Sequence, residues 1–242
     1  ARGMPRLAPV AGRVVDRVEG AALTHSDAVV AITADFVPAA VGRGVPPERV
    51  HVVPNWAPVA ELTPERPDAG TRWRLEHGLG RRFLFLYAGT LGLKHEPQEL
   101  AALARAHRDD PDVAVIVIGQ GPGRATLERV RAAEGLANLV LLDFVPLREM
   151  PAVMAAADVL VAMLTPEAGS FSVPSKVLTY LCGGRPVLAA MPPGNAAART
   201  LHSAGAGVVV EPGREDAWVA AAEALRRDPD RRARLGAAGR AY

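Results

Sequence analysis

Residues 83–95 read FLFLYAGTLGLKH, and this stretch decides the fold class. A continuous apolar run such as 83–88 is typical of a parallel strand that is covered on both faces. The two glycines that follow let the chain turn sharply or approach a ligand closely. The stretch therefore predicts a buried strand whose carboxyl end leads into an anion-binding loop, where Lys94 adds a positive charge.

On both sides of this stretch, short apolar runs alternate along the chain with segments of helical periodicity. This alternation predicts an α/β fold with a doubly wound, Rossmann-like parallel sheet. The predicted strands are 28–33, 50–54, 83–88, 113–118, 139–142, 159–163, 187–189 and 208–210. The predicted helices are 35–42, 98–108, 123–134, 148–156, 174–182, 196–204 and 216–227.

One segment interrupts this alternation and predicts a domain boundary. Residues 54–67 carry four prolines and no strand pattern, which is the composition of a linker. We therefore expect three parts: residues 1–55, a linker at 56–67, and an α/β unit at 68–242. The first part is too short to bury a core alone, so we interpret it as the end of a preceding domain. The final residues still follow a helical pattern, which predicts that the second unit is cut within its last helix.

The composition excludes several classes of protein. With 49% hydrophobic and 22% charged residues, the chain is typical of a globular protein. The net charge of +2 comes from basic residues spread along the chain, which argues against nucleic-acid binding. No apolar run reaches the roughly 18 residues of a membrane span. The single cysteine, Cys182, favours a cytoplasmic location, and contact with the anionic inner face of a membrane stays open.

The two lysines are unusual, because 26 of the 28 basic residues are arginine. A lysine that persists beside so many arginines suggests a place where a compact ammonium group is needed. Lys94 follows the predicted strand 83–88, and Lys176 follows the loop after strand 159–163. Ligands of open parallel sheets bind beyond the carboxyl ends of the strands, so both lysines are candidates for binding one anion.

The segment around Lys176 supports this prediction. Pro174 suits a first helical turn, and the hydroxyl of Ser172 or Ser175 could cap the free N–H groups there. A cation in the first turn of a helix is unfavourable for the helix dipole. Lys176 is therefore better explained by a bound anion at this position than by helix stability.

Other candidates are weaker. Residues 119–124 (GQGPGR) resemble a dinucleotide fingerprint, and Asp143 lies where a ribose-binding acid would follow, but Arg124 replaces the third glycine. A glycine-rich turn before a helix is the favoured interpretation. The backbone at Phe144 and Val145 could bind a base, although Phe144 is favoured as a core residue. The histidines lack a metal-ligand spacing, and only His95 lies beside a candidate loop.

The order of these motifs resembles glycosyltransferase family 4, a retaining family with the GT-B architecture. The resemblance covers the whole chain. Its parts are 26–33 with 52–55, then 87–95, 117–122, 174–180 and 184–187. The variant PSKVLTY at 174–180 is similar to a bacterial branch that builds surface polysaccharides.

The resemblance implies a division of roles within a site that uses no metal and no cofactor. A UDP-sugar donor would bind here, and an acceptor glycan or lipid-linked sugar would bind in the preceding domain. Lys94 and Lys176 would neutralise the leaving phosphates. The diphosphate would also contact Gly89, Thr90, Leu91, Gly92, Pro174 and Ser175. The nucleoside would contact Gly119, Phe144, Val145 and Thr179, and the donor sugar would contact Ser170, Phe171 and Ser172.

One departure from the family pattern falls at two of these positions. Many members carry paired glutamates where this chain has Phe171 and Thr179, and the second glutamate normally holds the ribose. Three other functions stay open from the sequence: a nucleotide-sugar epimerase, an NAD-dependent oxidoreductase that uses Gly119, Gly121 and Asp143, and a binding module without turnover. We expect the fragment alone to bind donor without transferring it.

Overall fold

The computed structural model describes residues 8–62 and 68–242. It divides the chain into two compact units, with the boundary between Asn55 and Trp56. Part of the predicted linker, residues 63–67, lies outside the described residues. The assignment of the first unit to a preceding domain stays a prediction.

The described part of the first unit contains two helices and a two-stranded parallel sheet. Val29 pairs with Val50 and Ala31 with Val52, so both predicted strands are present but shorter than expected. The elements are α1 (Ala8–His25), β1 (Val29–Ala31), α2 (Val37–Gly42) and β2 (Val50–Val52).

The second unit is a six-stranded parallel sheet with helices on both faces. Its strands are β3 (Phe83–Ala88), β4 (Val113–Ile118), β5 (Leu139–Leu142), β6 (Val159–Met163), β7 (Val187–Ala190) and β8 (Gly207–Val210). Its helices are α3 (Ala69–Glu76), α4 (Gln98–Ala106), α5 (Pro122–Glu134), α6 (Met150–Ala156), α7 (Lys176–Cys182), α8 (Ala196–Ser203), α9 (Glu215–Arg227) and α10 (Pro229–Ala241). The predicted α/β class is confirmed.

The two faces of the sheet are buried by different helices. Leu84 and Leu86 pack into a core layer with Trp73 of α3 and Tyr180 of α7. Phe85 and Tyr87, which point the other way along the same strand, belong to the opposite layer together with residues of α4 and α9. Two covered faces explain why residues 83–88 are apolar without interruption.

The strand order β5-β4-β3-β6-β7-β8 reverses its direction between β3 and β6. From β3 the chain continues to β4, toward one edge of the sheet, and from β6 it continues to β7, toward the opposite edge. The loops that leave β3 and β6 therefore lie at the place on the carboxyl edge where ligands of such sheets bind. The loop after β3 carries Lys94, and the loop after β6 leads into helix α7, which begins at Lys176.

Some helices differ from the predictions. Helix α7 begins at Lys176 instead of residue 174, because Pro174 and Ser175 form a turn in which the Pro174 carbonyl accepts from the Val177 N–H. No side chain caps the helix at Ser175, so the predicted serine cap is wrong. Helices α1 and α3 are additional to the predicted ones, and α10 agrees with the helical pattern predicted for the final residues.

Tyr180 of α7 fastens that helix to the end of β3. The strand β6 pairs with β3 only at Phe85 and Leu86, so it does not reach Ala88. The Tyr180 hydroxyl pairs with Ala88 instead of strand β6. It accepts from the Ala88 N–H at 2.8 Å and donates to the Ala88 carbonyl at 3.1 Å. Helix α7 is thereby held at the start of the loop that carries Lys94.

The variant Tyr180→Phe is expected to lower the free energy of unfolding by about 2 kcal/mol, because it leaves two buried backbone groups without a partner. Urea denaturation followed by circular dichroism measures the change. The control is Tyr242→Phe, which removes an exposed hydroxyl. Equal stability of the two variants would show that the Tyr180 hydroxyl contributes little.

Candidate functional site

Two loops form the candidate site at the edge where the strand order reverses. The first loop follows β3 and contains residues 89–97. The second follows β6 and contains residues 164–175. Lys94 joins them at two points: its backbone carbonyl accepts from the Thr165 N–H at 3.0 Å, and its ammonium donates to the Ser172 hydroxyl at 3.0 Å.

Lys176 approaches the same first loop from helix α7. Its ammonium lies 3.6 Å from the centre of the Tyr87 ring. A side chain at residue 89 would have its Cβ only 3.1 Å from this nitrogen, so glycine keeps the space in front of the ammonium open. Within the described residues, the Lys176 nitrogen is buried and has no hydrogen-bond partner. A buried ammonium without a hydrogen bond is costly, and a bound anion would offset that cost.

Burial controls the charge of Lys176. Removal from water disfavours the ammonium form, and the neighbouring positive charge of Lys94 adds to this effect. Together they lower the pKa of Lys176 from 10.5 to about 7. The charge of Lys94 is therefore close enough to influence the titration of Lys176.

The side chain of His95 stabilises the first loop, to which it belongs. Its Nδ1 atom accepts from the Gly92 N–H at 3.1 Å, and its ring lies edge-on to Tyr87. Burial, followed by the charges of Lys176 and Lys94, lowers the pKa of His95 to about 4. The imidazole is therefore neutral near pH 7, and it closes the turn.

The first loop does not present its glycine amides to a ligand, contrary to the prediction. The Gly89 N–H donates to the Ile118 carbonyl, the Leu91 N–H to the Gln120 carbonyl, and the Gly92 N–H to His95. The side chain of Leu91 is also fully buried in the core. These residues give the loop its shape. Gly89, with φ of 136°, adopts a conformation that favours glycine. Thr90 is exposed.

The glycine-rich turn after β4 has a packing role. A Cβ on Gly119 would lie 2.0 Å from the Gly89 carbonyl oxygen, and one on Gly121 would lie 2.6 Å from the Leu91 carbonyl oxygen. Arg124, at the third fingerprint position, donates to the carbonyls of Gly119 and Leu142. Close contact between two loops therefore explains these glycines, and no observation favours the oxidoreductase interpretation.

The remaining predicted residues are distributed around the edge. Phe144 is 50% exposed, so the prediction that it is a core residue is wrong, whereas Val145 packs partly against the core. Thr179 lies half-buried on α7, one position before Tyr180. The described contacts do not bring Phe144, Val145 or Thr179 to either lysine. Their nucleoside roles stay predictions.

The predicted sugar residues lie on the second loop and differ in exposure. Phe171 is 65% exposed and Ser170 is exposed, whereas Ser172 is buried against Lys94. Pro174 is buried and Ser175 is exposed in the turn before α7. Because α7 has only seven residues, its dipole contributes less to anion binding than the sequence suggested. The two lysines are therefore the main candidates for binding an anion.

Sequence reasoning missed three side chains that build the site: Tyr87, Tyr180 and Asn195. The spacing of Tyr180 four residues after Lys176 indicates a shared helix face, but not the contact with Ala88. Asn195 precedes a predicted helix, which indicates a cap and nothing more. In the part of the chain that the structure describes, no three His, Cys, Asp or Glu side chains form a metal-ligand cluster. The metal-free site stays a prediction.

The family model for glycosyl transferases group 1 matches residues 82–228, and a glycosyl transferase 4-like model matches residues 1–56. The chain belongs to the glycosyl transferases group 1 family, and its second unit has the Rossmann-like fold of GT-B glycosyltransferases. The resemblance seen in the motifs is thereby confirmed.

Two curated relatives match most of this chain. A GDP-mannose-dependent α-(1-6)-phosphatidylinositol monomannoside mannosyltransferase from Mycolicibacterium smegmatis is 33% identical over 72% of this chain and 46% of its own length. A putative colanic acid biosynthesis glycosyl transferase, WcaI from Escherichia coli, is 28% identical over 71% of this chain and 42% of its own length. The chain spans about half the length of these relatives.

Among solved structures, HepE from Anabaena in complex with UDP-glucose has a similar fold. The TM-score is 0.79 at 20% identity, and the alignment covers 95% of this chain and 62% of that one. Within the described residues, no helix is long and apolar enough to cross a membrane.

Proposed function

We propose that this chain is the donor-binding half of a glycosyltransferase that takes its sugar from a nucleoside diphosphate, preferably UDP. One observation carries the proposal. At the edge where the strand order reverses, the buried ammonium of Lys176 has no hydrogen-bond partner among the described residues, and the charge of Lys94 is close enough to lower its pKa. A diphosphate is the group that two such cations would bind together.

The same two cations suit the chemistry of sugar transfer. When the bond between the sugar and the diphosphate breaks, negative charge develops on the leaving phosphate oxygens. Ammonium groups already in place stabilise that charge without a metal ion. We propose transfer with retention of the anomeric configuration, in which a phosphate oxygen helps to deprotonate the acceptor hydroxyl.

The acceptor site belongs, in this proposal, to a preceding domain of the kind that the family resemblance implies. The acceptor class would be a glycan or a lipid-linked sugar in the biosynthesis of surface polysaccharides. The relatives support this class, since one is named for its action on a phosphatidylinositol mannoside and the other for colanic acid biosynthesis. We propose a cytoplasmic enzyme that contacts the inner face of the membrane. This chain by itself would bind donor without turnover.

Isothermal titration of this chain with UDP-glucose, GDP-mannose and NADH tests the proposal. We expect UDP-glucose to bind with a dissociation constant in the micromolar-to-millimolar range, because half of a cleft supplies part of the contacts. NADH is expected not to bind. Tighter binding of GDP-mannose would overturn the choice of base, and absence of binding by both sugar nucleotides would overturn the function.

A further inference from the structure

We propose that Asn195 is a positioning residue for the donor. From the loop after β7, it holds the main chain of residues 169–172 in the place where Ser172 meets Lys94. This inference rests on the proposed function, because it concerns the segment that would contact the donor sugar. It adds a third loop to a site that the sequence predicted from two.

Asn195 is 3% exposed, and the three hydrogen bonds of its side chain are all internal. Its Nδ2 atom donates to the Gly169 carbonyl at 2.9 Å and to the Ser172 carbonyl at 2.7 Å. Its Oδ1 atom accepts from the Ala197 N–H at 2.9 Å, which caps helix α8. The opposite orientation of the amide would place oxygen against two carbonyl oxygens, so the assignment is fixed by its partners.

Contact between the two loops reinforces this connection. A Cβ on Gly169 would lie 2.5 Å from the Cγ atom of Pro192, so the backbone at residue 169 packs directly on the loop that carries Asn195. Within the segment, the N–H groups of Gly169, Phe171 and Ser172 donate to carbonyls of residues 166 and 168, while Ser170 and Phe171 are exposed. The two carbonyl contacts of Asn195 therefore connect this turn to the loop after β7.

A short chain of contacts leads from Asn195 to the candidate site. Asn195 binds the Ser172 carbonyl, and the Ser172 hydroxyl accepts from the Lys94 ammonium at 3.0 Å. The backbone carbonyl of Lys94 in turn accepts from Thr165, at the start of the second loop. A shift of residue 172 would therefore move a hydroxyl that meets one of the two cations.

The variant Asn195→Asp tests this role with the least change in shape. A carboxylate keeps the acceptor that caps α8 but has no donor for the two carbonyls, and its charge would face their oxygen atoms. We expect hydrogen exchange of the amides at residues 169–172 to become at least tenfold faster. We also expect binding of UDP-glucose to weaken relative to binding of UDP. The dissociation constant of UDP divided by that of UDP-glucose should therefore fall about tenfold.

Asn138→Asp is a matched control. Asn138 is also buried, and its Nδ2 atom donates to two carbonyls, those of Ala104 at 2.9 Å and His107 at 3.0 Å. Neither carbonyl belongs to a loop of the candidate site. We expect this variant to lower the melting temperature by a similar amount without changing the ratio or the exchange of residues 169–172. Asn195→Ser, which keeps a capping oxygen and adds no charge, replaces Asn195→Asp if the carboxylate prevents folding.

The outcomes separate the two proposals. If the wild-type chain binds neither nucleotide, the proposed function fails, while the exchange rates still decide whether Asn195 holds the segment. If the wild type binds and both Asn195 variants leave the ratio and the exchange of residues 169–172 unchanged, Asn195 acts only as a helix cap. That result would overturn the inference.

Discussion

The double variant Lys94→Met with Lys176→Met is expected to bind UDP-glucose about a thousandfold more weakly than the parent chain. A hydrogen bond to a charged group contributes about 1.5 to 3 kcal/mol, which corresponds to roughly 10- to 150-fold in affinity for each lysine. Methionine keeps an unbranched apolar stem, so the packing of residue 176 on Tyr87 is largely retained. The change therefore removes charge with little loss of volume.

Isothermal titration at constant ionic strength measures this effect. The control is Arg129→Ala with Arg131→Ala, which removes two cations from the exposed face of α5 and leaves both loops unchanged. The single lysine variants are informative as well. If both ammonium groups bind one diphosphate, their effects should deviate from additivity, because the two groups share a partner. A double variant that binds as tightly as the control would remove the basis of the proposed function.

The second large effect concerns pH. Between pH 7 and pH 8.5, the affinity for UDP-glucose is expected to fall by up to tenfold for each unit of pH. In the free chain, burial and Lys94 lower the pKa of Lys176 to about 7, so above that pH the amine is mostly neutral. A diphosphate favours the ammonium and raises its pKa again. Binding above pH 7 must therefore take up a proton, whereas binding below pH 7 need not.

Titrations at pH 8 in buffers with different ionisation enthalpies measure this proton uptake directly. We expect nearly one proton for each UDP-glucose bound, and none for Lys176→Met. His95 contributes no proton in this range, since its pKa is lowered to about 4. A proton uptake that persists in Lys176→Met would assign it to another group.

The stability of the ligand-free chain should change in the opposite direction. Folding lowers the pKa of Lys176 below its unfolded value of 10.5, so above pH 7 the unfolded state binds more protons than the folded state. This group therefore makes the free energy of unfolding rise with pH between about 7 and 10.5. Affinity that falls while stability rises is a combination that general alkaline damage to the protein would not produce.

The two lysines show how far a sequence can locate a site. Lys94 and Lys176 were recognisable as exceptions in an arginine-rich chain, and each followed a predicted strand of a parallel sheet. The rule that ligands bind beyond the carboxyl ends of strands then placed both at one edge. The orientation of the ammonium of Lys176 over Tyr87 was not predictable, because it depends on where α7 packs.

The roles of the glycines illustrate the limit of motif reasoning. Gly89 and Gly92 resembled anion-binding glycines, yet their N–H groups donate to Ile118 and His95. Gly119 resembled part of a nucleotide fingerprint, yet it makes room for the Gly89 carbonyl. A glycine in a sequence indicates that a side chain is not tolerated, but the neighbour that excludes the side chain is known only once the loops are packed.

The sequence by itself determined the fold class, the strands of the larger unit and the family. The spacing of apolar residues, the turn residues and the order of the motifs can all be read directly along the chain. Only the tertiary structure decided which groups meet: Tyr180 with Ala88, Ser172 with Lys94, and Asn195 with residues 169 and 172. These contacts join residues that are 92, 78, 26 and 23 positions apart. Their geometry depends on how separate loops pack at one edge of the sheet, which no local pattern encodes.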